Sequence, residues 1–250
     1  MEEVEIYASA ELLARAAAER FVALAGKATS RSGAFRVALA GGTTPRRLYA
    51  LLAEDSYSAR VPWDGVHFFW GDERCVPPDH EQSNYRMARE ELLDRVPVPA
   101  DQVHRMRGEL QPELAASKYE KLLRQQLSPD GSEKTLGRFD LVLLGMGDDG
   151  HTASLFPGTP ALAETERWVV GQYVEKLEAW RITLTPPLLN AAHHVLFLVE
   201  GQGKAARLHE VLEGESHPDQ LPAQLVRPTA GELVWMLDRP AASGLKERGL

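Results

Sequence analysis

Short runs of apolar, β-branched and aromatic residues alternate along this chain with longer stretches in which apolar positions recur every three or four residues. The short runs have the length of buried strands, and the longer stretches have the periodicity of amphipathic helices. This alternation is typical of βα units with right-handed crossovers. We therefore predict an α/β protein with a mostly parallel, Rossmann-like open sheet flanked by helices. The predicted strands are residues 4–7, 35–40, 66–70, 139–144, 168–173, 181–185, 195–199 and 233–237.

The helical periodicity predicts helices at residues 10–25, 84–96, 112–127 and 204–212. Ser83 is expected to cap the second of these, because a serine oxygen can accept from the free N–H groups of a first turn. Two polar segments, residues 128–137 and 214–222, are predicted loops that are too short to separate domains. Because 250 residues suit one α/β unit, we expect a single domain over residues 1–250.

The charge balance narrows the choice of partners. Lys and Arg number 28 against 36 Asp and Glu, a net charge of −8 that would repel nucleic acids and anionic membranes. The acidic start at Glu2 and Glu3 lacks the basic segment of a secretory signal, and no apolar run is long enough to span a bilayer. We expect a cytoplasmic monomer, with a weak homodimer as the alternative. Cys75 is the only cysteine in the sequence, which excludes an intrachain disulfide.

Glycine-bearing segments follow four of the predicted strands. Because the carboxyl ends of parallel strands share one edge of a sheet, and ligands bind there where the strand order reverses, these segments should meet. Their convergence predicts a functional site. The segments are residues 41–45, 71–74, 145–151 and 201–204.

Residues 41–45 lead from a strand into a helix, with Thr44 as the expected N-cap and Pro45 in the first turn. Free backbone N–H groups and two hydroxyls at such a junction suit a phosphate, although a plain strand-to-helix turn is the alternative. Arg181 and Lys204, each an ordinary surface cation by itself, would complete a clamp around the phosphate. The candidate phosphate-binding residues are Gly41, Gly42, Thr43, Thr44, Arg181 and Lys204.

Residues 145–150 match the dinucleotide fingerprint G-x-G-x-x-G. However, Asp148 and Asp149 would stand where a pyrophosphate needs N–H donors, and Pro157 would cut short the helix that should follow. We favour a turn that places Asp149 beside His151, because a carboxylate that fixes the tautomer of an imidazole makes it a general base. Which of the two aspartates orients His151 stays open, and a capped turn beside an incidental histidine is the alternative.

Asp72, Glu73 and Arg74 directly follow a predicted strand, where a surface ion cluster is the ordinary interpretation. If Arg74 faces His151, it would donate to a carbonyl oxygen that gains negative charge. We keep Asp72, Glu73 and Asp148 as supporting candidates. The sequence has neither H-E-x-x-H nor G-x-S-x-G, so we expect no metal site and no serine nucleophile.

Together these motifs closely resemble the 6-phosphogluconolactonase family, a branch of the superfamily that also holds glucosamine-6-phosphate deaminases and isomerases. Thr43 stands where family members often carry serine, and a hydroxyl remains. The resemblance implies the glucosamine-6-phosphate deaminase/ribose-5-phosphate isomerase/CoA transferase-like fold. It is carried by residues 40–45, 71–77, 83–85, 145–158 and 181–190, within a stretch from about residue 37 to residue 204.

The resemblance implies hydrolysis of a small phosphosugar lactone, 6-phospho-D-glucono-1,5-lactone, without a cofactor or metal, as the second step of the oxidative pentose phosphate pathway. It makes His151 the general base, Asp149 its support and Arg74 the cation near the lactone carbonyl. One alternative is an amino-sugar-phosphate deaminase/isomerase, whose branch carries tyrosine in place of Arg74. A second is a non-catalytic sugar-phosphate-binding protein, which leaves the pairing of Asp149 with His151 unexplained.

Overall fold

The computed structural model describes residues 2–128 and 137–246, and its strands divide between two sheets. The strands are β1 (Glu2–Tyr7), β2 (Phe35–Leu39), β3 (Val66–Trp70), β4 (Asp72–Arg74), β5 (Leu141–Leu144), β6 (Val169–Val174), β7 (Ala179–Leu184), β8 (His194–Val199) and β9 (Glu232–Asp238). The helices are α1 (Ala10–Ser32), α2 (Thr43–Leu52), α3 (Asp55–Ser58), α4 (Asn84–Glu91), α5 (Pro112–Leu127), α6 (Pro186–Ala191), α7 (Ala205–Glu213) and α8 (Arg239–Ala242).

The main sheet has six strands in the order β1-β9-β8-β5-β2-β3, and every neighbouring pair is parallel. From β2 the chain moves outward to β3, whereas from β5 it moves the other way through β8 and β9. The strand order therefore reverses between β2 and β5, and the crevice at this point is where α/β sheets bind ligands. The predicted fold class is confirmed.

The second sheet is antiparallel, with the order β4-β7-β6. Its hairpin, β6 and β7, consists of two runs that the sequence predicts as strands. No strand is predicted at residues 71–74, but Asp72–Arg74 pairs with β7 and places Arg74 opposite Arg181. A strand of three polar residues has no apolar alternation that could have revealed it.

Helix ends depart from the predicted bounds for local reasons. Helix α1 continues past residue 25 because Ala28 is also buried, and it ends at Gly33, whose φ of +76° suits a glycine C-cap. The prediction of Thr44 as the N-cap of α2 is wrong, since Gly42 holds that position. Helix α4 ends at Glu91, and a separate 3₁₀ turn covers Leu93–Arg95.

Two further predictions concern a cap and a loop. Ser83 caps α4 as predicted, with its Oγ accepting from the Arg86 N–H at 3.1 Å. Of the predicted loop at 128–137, residues 129–136 lie outside the described residues.

The core covers both faces of the inner strands of the main sheet, which explains why β5 is apolar along its whole length, whereas the edge strand β1 is largely exposed. Leu39, Phe68 and Leu143 are fully buried, and the rings of Phe197 and Trp235 stack with centroids 3.8 Å apart. Among the described helices, none is both long enough and apolar enough to cross a bilayer. The buried strands hold in place the strand ends from which the loops of the crevice extend.

Candidate active site

A cleft opens at the carboxyl edge of the main sheet, beside the point where the strand order reverses. Its first compartment has a volume of about 280 Å³ and receives residues from all four glycine-bearing segments. The convergence expected from the sequence is therefore present. The lining consists of residues 40–45, Asp72, Arg74, residues 145–147, His151, Ala153, residues 198–200 and Lys204.

A second compartment, of about 470 Å³, adjoins the first and shares Asp72, Arg74, His151 and Ala153 with it. It adds residues from the turn of the β6–β7 hairpin and from its second strand. Arg181 lines this second compartment, whereas Lys204 lines the first. The cations predicted to grip a phosphate thus approach the cleft from two directions.

Asp149 is the aspartate that contacts His151. Its Oδ1 lies 2.5 Å from Nδ1 of the ring and also accepts from the backbone N–H of His151 at 3.2 Å. An Nδ1–H that donates to this carboxylate leaves Nε2 as the proton acceptor of the ring. The hydrogen bond from His151, followed by that from Lys176, lowers the pKa of Asp149. Asp148 instead pairs with Lys204, at 2.5 Å.

The turn that presents His151 depends on close packing around the ring. The backbone N–H of Gly147 donates to the carbonyl of His151 at 2.8 Å, and Gly150 has a φ of +81°, which favours glycine. A Cβ at Gly147 would lie only 2.0 Å from Nδ1 of His151. On the ring itself, Phe156 stacks with centroids 4.0 Å apart. These contacts fix the orientation of the imidazole.

The first turn of α2 forms the other end of the first compartment. Gly42, with a φ of +104°, starts the helix and offers no side chain to cap its free N–H groups. Gly41 lies directly against Asn84, because a Cβ there would be 2.0 Å from the amide oxygen. The hydroxyl of Tyr49 bonds both backbone groups of Ala40 and so fixes the end of β2. These N–H groups, with the positive end of the helix dipole, can receive an anion.

Arg74 and Arg181 face each other across the β4–β7 pair. Arg74 donates to the carbonyl of Gln82 at 2.8 Å, and Arg181 donates to that of Trp180 at 3.0 Å. Burial, followed by the charge of Arg74, lowers the pKa of Arg181. Within residues 2–128 and 137–246, neither guanidinium forms an ion pair, and Nε of Arg74 is buried without an acceptor. Two such cations favour binding of an anion.

Glu73 connects β4 to α4 and does not face the cleft. Its carboxylate accepts from the backbone N–H groups of Arg74, Asn84 and Tyr85, each at 2.8 Å, and from the hydroxyl of Ser83. Burial raises the pKa of Glu73, and these backbone donors oppose the shift. Glu73 thus holds the backbone of Arg74 in place.

Asp72 does line the cleft, and its Oδ2 accepts from Ser154 at 2.6 Å. Ala153, beside it, has a φ of +48°, a strained conformation for a residue other than glycine. Such strain is common at functional sites. Neither Ser154 nor Ala153 carries a signal in the sequence that would have singled it out.

Other candidate chemistry finds little support. Burial raises the pKa of the Cys75 thiol to about 11, so it stays protonated near neutral pH. Among the residues that the structure describes, no three His, Cys, Asp or Glu side chains are grouped as a metal would require. The sequence also did not single out Phe156, in the same segment as His151, or Lys176, which reaches Asp149 from 27 positions along the chain.

Comparisons with known proteins show which family this chain resembles. Residues 8–235 match the family described as glucosamine-6-phosphate isomerases/6-phosphogluconolactonase. A 6-phosphogluconolactonase from Synechocystis sp. is 44% identical over 222 residues, 88% of each chain. A probable chloroplastic 6-phosphogluconolactonase 3 from Oryza sativa subsp. indica is 42% identical over 249 residues, 96% of this chain and 75% of the relative. The solved structure of 6-phosphogluconolactonase from Trypanosoma brucei matches with a TM-score of 0.86 at 31% identity, over 98% of this chain and 99% of that one.

Proposed function

Because this chain belongs to the glucosamine-6-phosphate isomerase/6-phosphogluconolactonase family, we propose that it hydrolyses 6-phospho-D-glucono-1,5-lactone to 6-phospho-D-gluconate. This reaction is the second step of the oxidative pentose phosphate pathway. The observation that carries the proposal is the Asp149–His151 pair, with Oδ1 and Nδ1 2.5 Å apart. The same cleft holds the first turn of α2, whose backbone N–H groups have no side-chain cap. A lactone carbonyl needs an activated water and a partner for the oxyanion, and its phosphate needs an anion site.

In the proposed mechanism, Nε2 of His151 takes a proton from water as the water oxygen bonds to the lactone carbonyl carbon. Asp149 stabilises the imidazolium that forms, and Arg74 donates to the carbonyl oxygen as it becomes negative. The bond between that carbon and the ring oxygen then breaks. The ring oxygen leaves with the proton from the imidazolium, and the product is a carboxylic acid that ionises in water.

The phosphate, remote from the reacting bond, supplies binding energy for orientation. We place it against the N–H groups and hydroxyls of Thr43 and Thr44, with Lys204 as the cation of that compartment that pairs with it. Lys204 is free to exchange partners, because the carboxylate it contacts, that of Asp148, is 84% exposed. Arg181 completes the clamp from the second compartment.

Two accompanying proposals concern the compartment and the oligomeric state of the enzyme. We expect it to act in the cytoplasm as a monomer, although the relative from Oryza sativa subsp. indica is named as chloroplastic.

A deaminase or isomerase of the same family is the alternative activity. Arg74 favours the lactonase, since a fixed cation suits a carbonyl attacked by water better than it suits proton transfer along a sugar.

The test is a pH-stat assay, which measures acid release directly, with 6-phosphogluconolactone and unphosphorylated gluconolactone as paired substrates. We expect rapid hydrolysis of the phosphorylated lactone above its spontaneous rate. Lys204→Ala and Arg181→Ala should each raise the KM for this lactone at least tenfold, while hydrolysis of gluconolactone changes little.

Equal losses with both lactones would contradict the assignment of the clamp. Release of ammonia from glucosamine 6-phosphate without lactone hydrolysis would establish the deaminase instead. Binding of phosphosugars with no acceleration of either reaction would establish a non-catalytic binding protein.

A further inference from the structure

The turn of the β6–β7 hairpin brings a cation to the carboxylate that holds His151. Glu175–Leu177 forms a 3₁₀ turn, and Glu178, with a φ of +47°, leads the chain back into β7. From this turn, Nζ of Lys176 lies 2.8 Å from Oδ2 of Asp149. The two residues are 27 positions apart in sequence, so only the fold brings them together.

The two oxygens of Asp149 have different partners. Oδ1 contacts Nδ1 and the backbone N–H of His151, whereas Oδ2 accepts from Lys176. A carboxylate that is held at both oxygens cannot rotate without losing a charge-assisted hydrogen bond. The angle of Oδ1 toward the imidazole is therefore set from two sides.

No other described cation substitutes for this contact. Lys204 contacts Asp148, and Arg74 donates to the carbonyl of Gln82. The other charged groups that line the cleft are these two cations, Arg181, and the carboxylates of Asp72, Asp148 and Glu200. Among the described residues, Lys176 is thus the one cation that forms an ion pair with Asp149.

We propose that Lys176 is a positioning residue, whose ammonium group fixes the carboxylate of Asp149 and, through it, the ring of His151. The proposal rests on the proposed function of His151 as the general base. Lys176 is exposed, so solvent screens its ion pair with Asp149 and the pair contributes little to stability. Its effect on catalysis is larger, because a general base acts only within a narrow range of distance and angle.

The same hairpin also carries Arg181, which faces Arg74 across the β4–β7 pair. The β6–β7 hairpin therefore brings one cation to Asp149 and another to the second compartment of the cleft.

The experiment compares Lys176→Met, which removes the charge, with Lys176→Arg, which keeps it. Glu175→Gln is the matched control, since Glu175 is exposed in the same turn and has no part in the site. For Lys176→Met we expect kcat on 6-phosphogluconolactone to fall about ten- to a hundredfold, with less than a threefold change in KM. Lys176→Arg should recover most of kcat, and the control should match the native protein.

The pH profile supplies a second measurement. Loss of the cation leaves the full charge of Asp149 to favour the protonated imidazole, so the acid limb of kcat/KM should move up by as much as about one pH unit in Lys176→Met. A kcat within twofold of native, with an unmoved acid limb, would overturn the proposal. A rise in KM for the phosphorylated lactone alone would overturn it too, because it would make Lys176 a phosphate contact.

A measurement without substrate separates this proposal from the proposed function. The ¹⁵N signals of the His151 ring report which nitrogen carries the proton, and we expect the Nδ1–H tautomer in the native protein and a mixture in Lys176→Met. If the mixture forms although the native protein lacks lactonase activity, the positioning role stands and the function fails. If the native protein is active and both the tautomer and kcat are unchanged in the variant, the positioning role fails.

Discussion

Gly147→Ala tests whether the orientation of His151 governs activity. The added Cβ would lie 2.0 Å from Nδ1 and 2.1 Å from Cε1 of the ring, whereas ordinary contact begins at 3.4 Å. The ring must therefore retreat by about 1.4 Å, a shift that its bond to Asp149 and its stacking on Phe156 both oppose. A misplacement of about 1 Å costs on the order of a hundredfold in rate, or about 2.7 kcal/mol in the activation barrier.

The assay is the pH-stat measurement of kcat and KM with 6-phosphogluconolactone, together with thermal unfolding to confirm that the variant is folded. We expect kcat to fall about a hundredfold with a small change in KM, since the phosphate site is untouched. Gly26→Ala is the control, because a Cβ at Gly26, within α1, meets no atom within 4 Å. A folded Gly147→Ala variant with native kcat would refute the argument that this packing positions the base.

Two further predictions test the base and the acid sensitivity of the fold. His151→Ala should lower kcat by about 10²–10⁴-fold while binding of phosphorylated inhibitors persists, and unchanged turnover would remove His151 from the mechanism. Burial lowers the pKa of His104, whose ring stacks on those of His67 and Phe69, to about 4. Because the unfolded chain binds this proton at a higher pH than the folded chain does, the contribution of His104 to stability is complete above about pH 6.5 and is lost as the pH falls toward 4. Urea unfolding at pH 7 and pH 4.5 should show a smaller acid loss for His104→Gln, and equal losses would contradict this cause.

Much of the fold follows from local pattern, since all eight predicted strands are present and only short or polar elements were missed. The apolar runs show which segments are buried, but they do not show which strands pair. The pattern therefore does not show that the hairpin of β6 and β7 stands apart from the main sheet, or that Asp72–Arg74 is a strand. Helix ends differ from the predicted bounds because caps such as Gly42 depend on backbone angles as well as on residue type.

The sequence by itself determined the α/β class, the four glycine-bearing segments and the presence of aspartates beside His151, because these depend on spacing along the chain. The tertiary structure alone decided that Asp149 rather than Asp148 contacts the ring, and that Arg181 and Lys204 line different compartments. It also brought Lys176 to Asp149. The physical reason is range: periodicity and turn chemistry act over a few residues, whereas contacts between distant side chains are set by how the strands pair and the sheets pack.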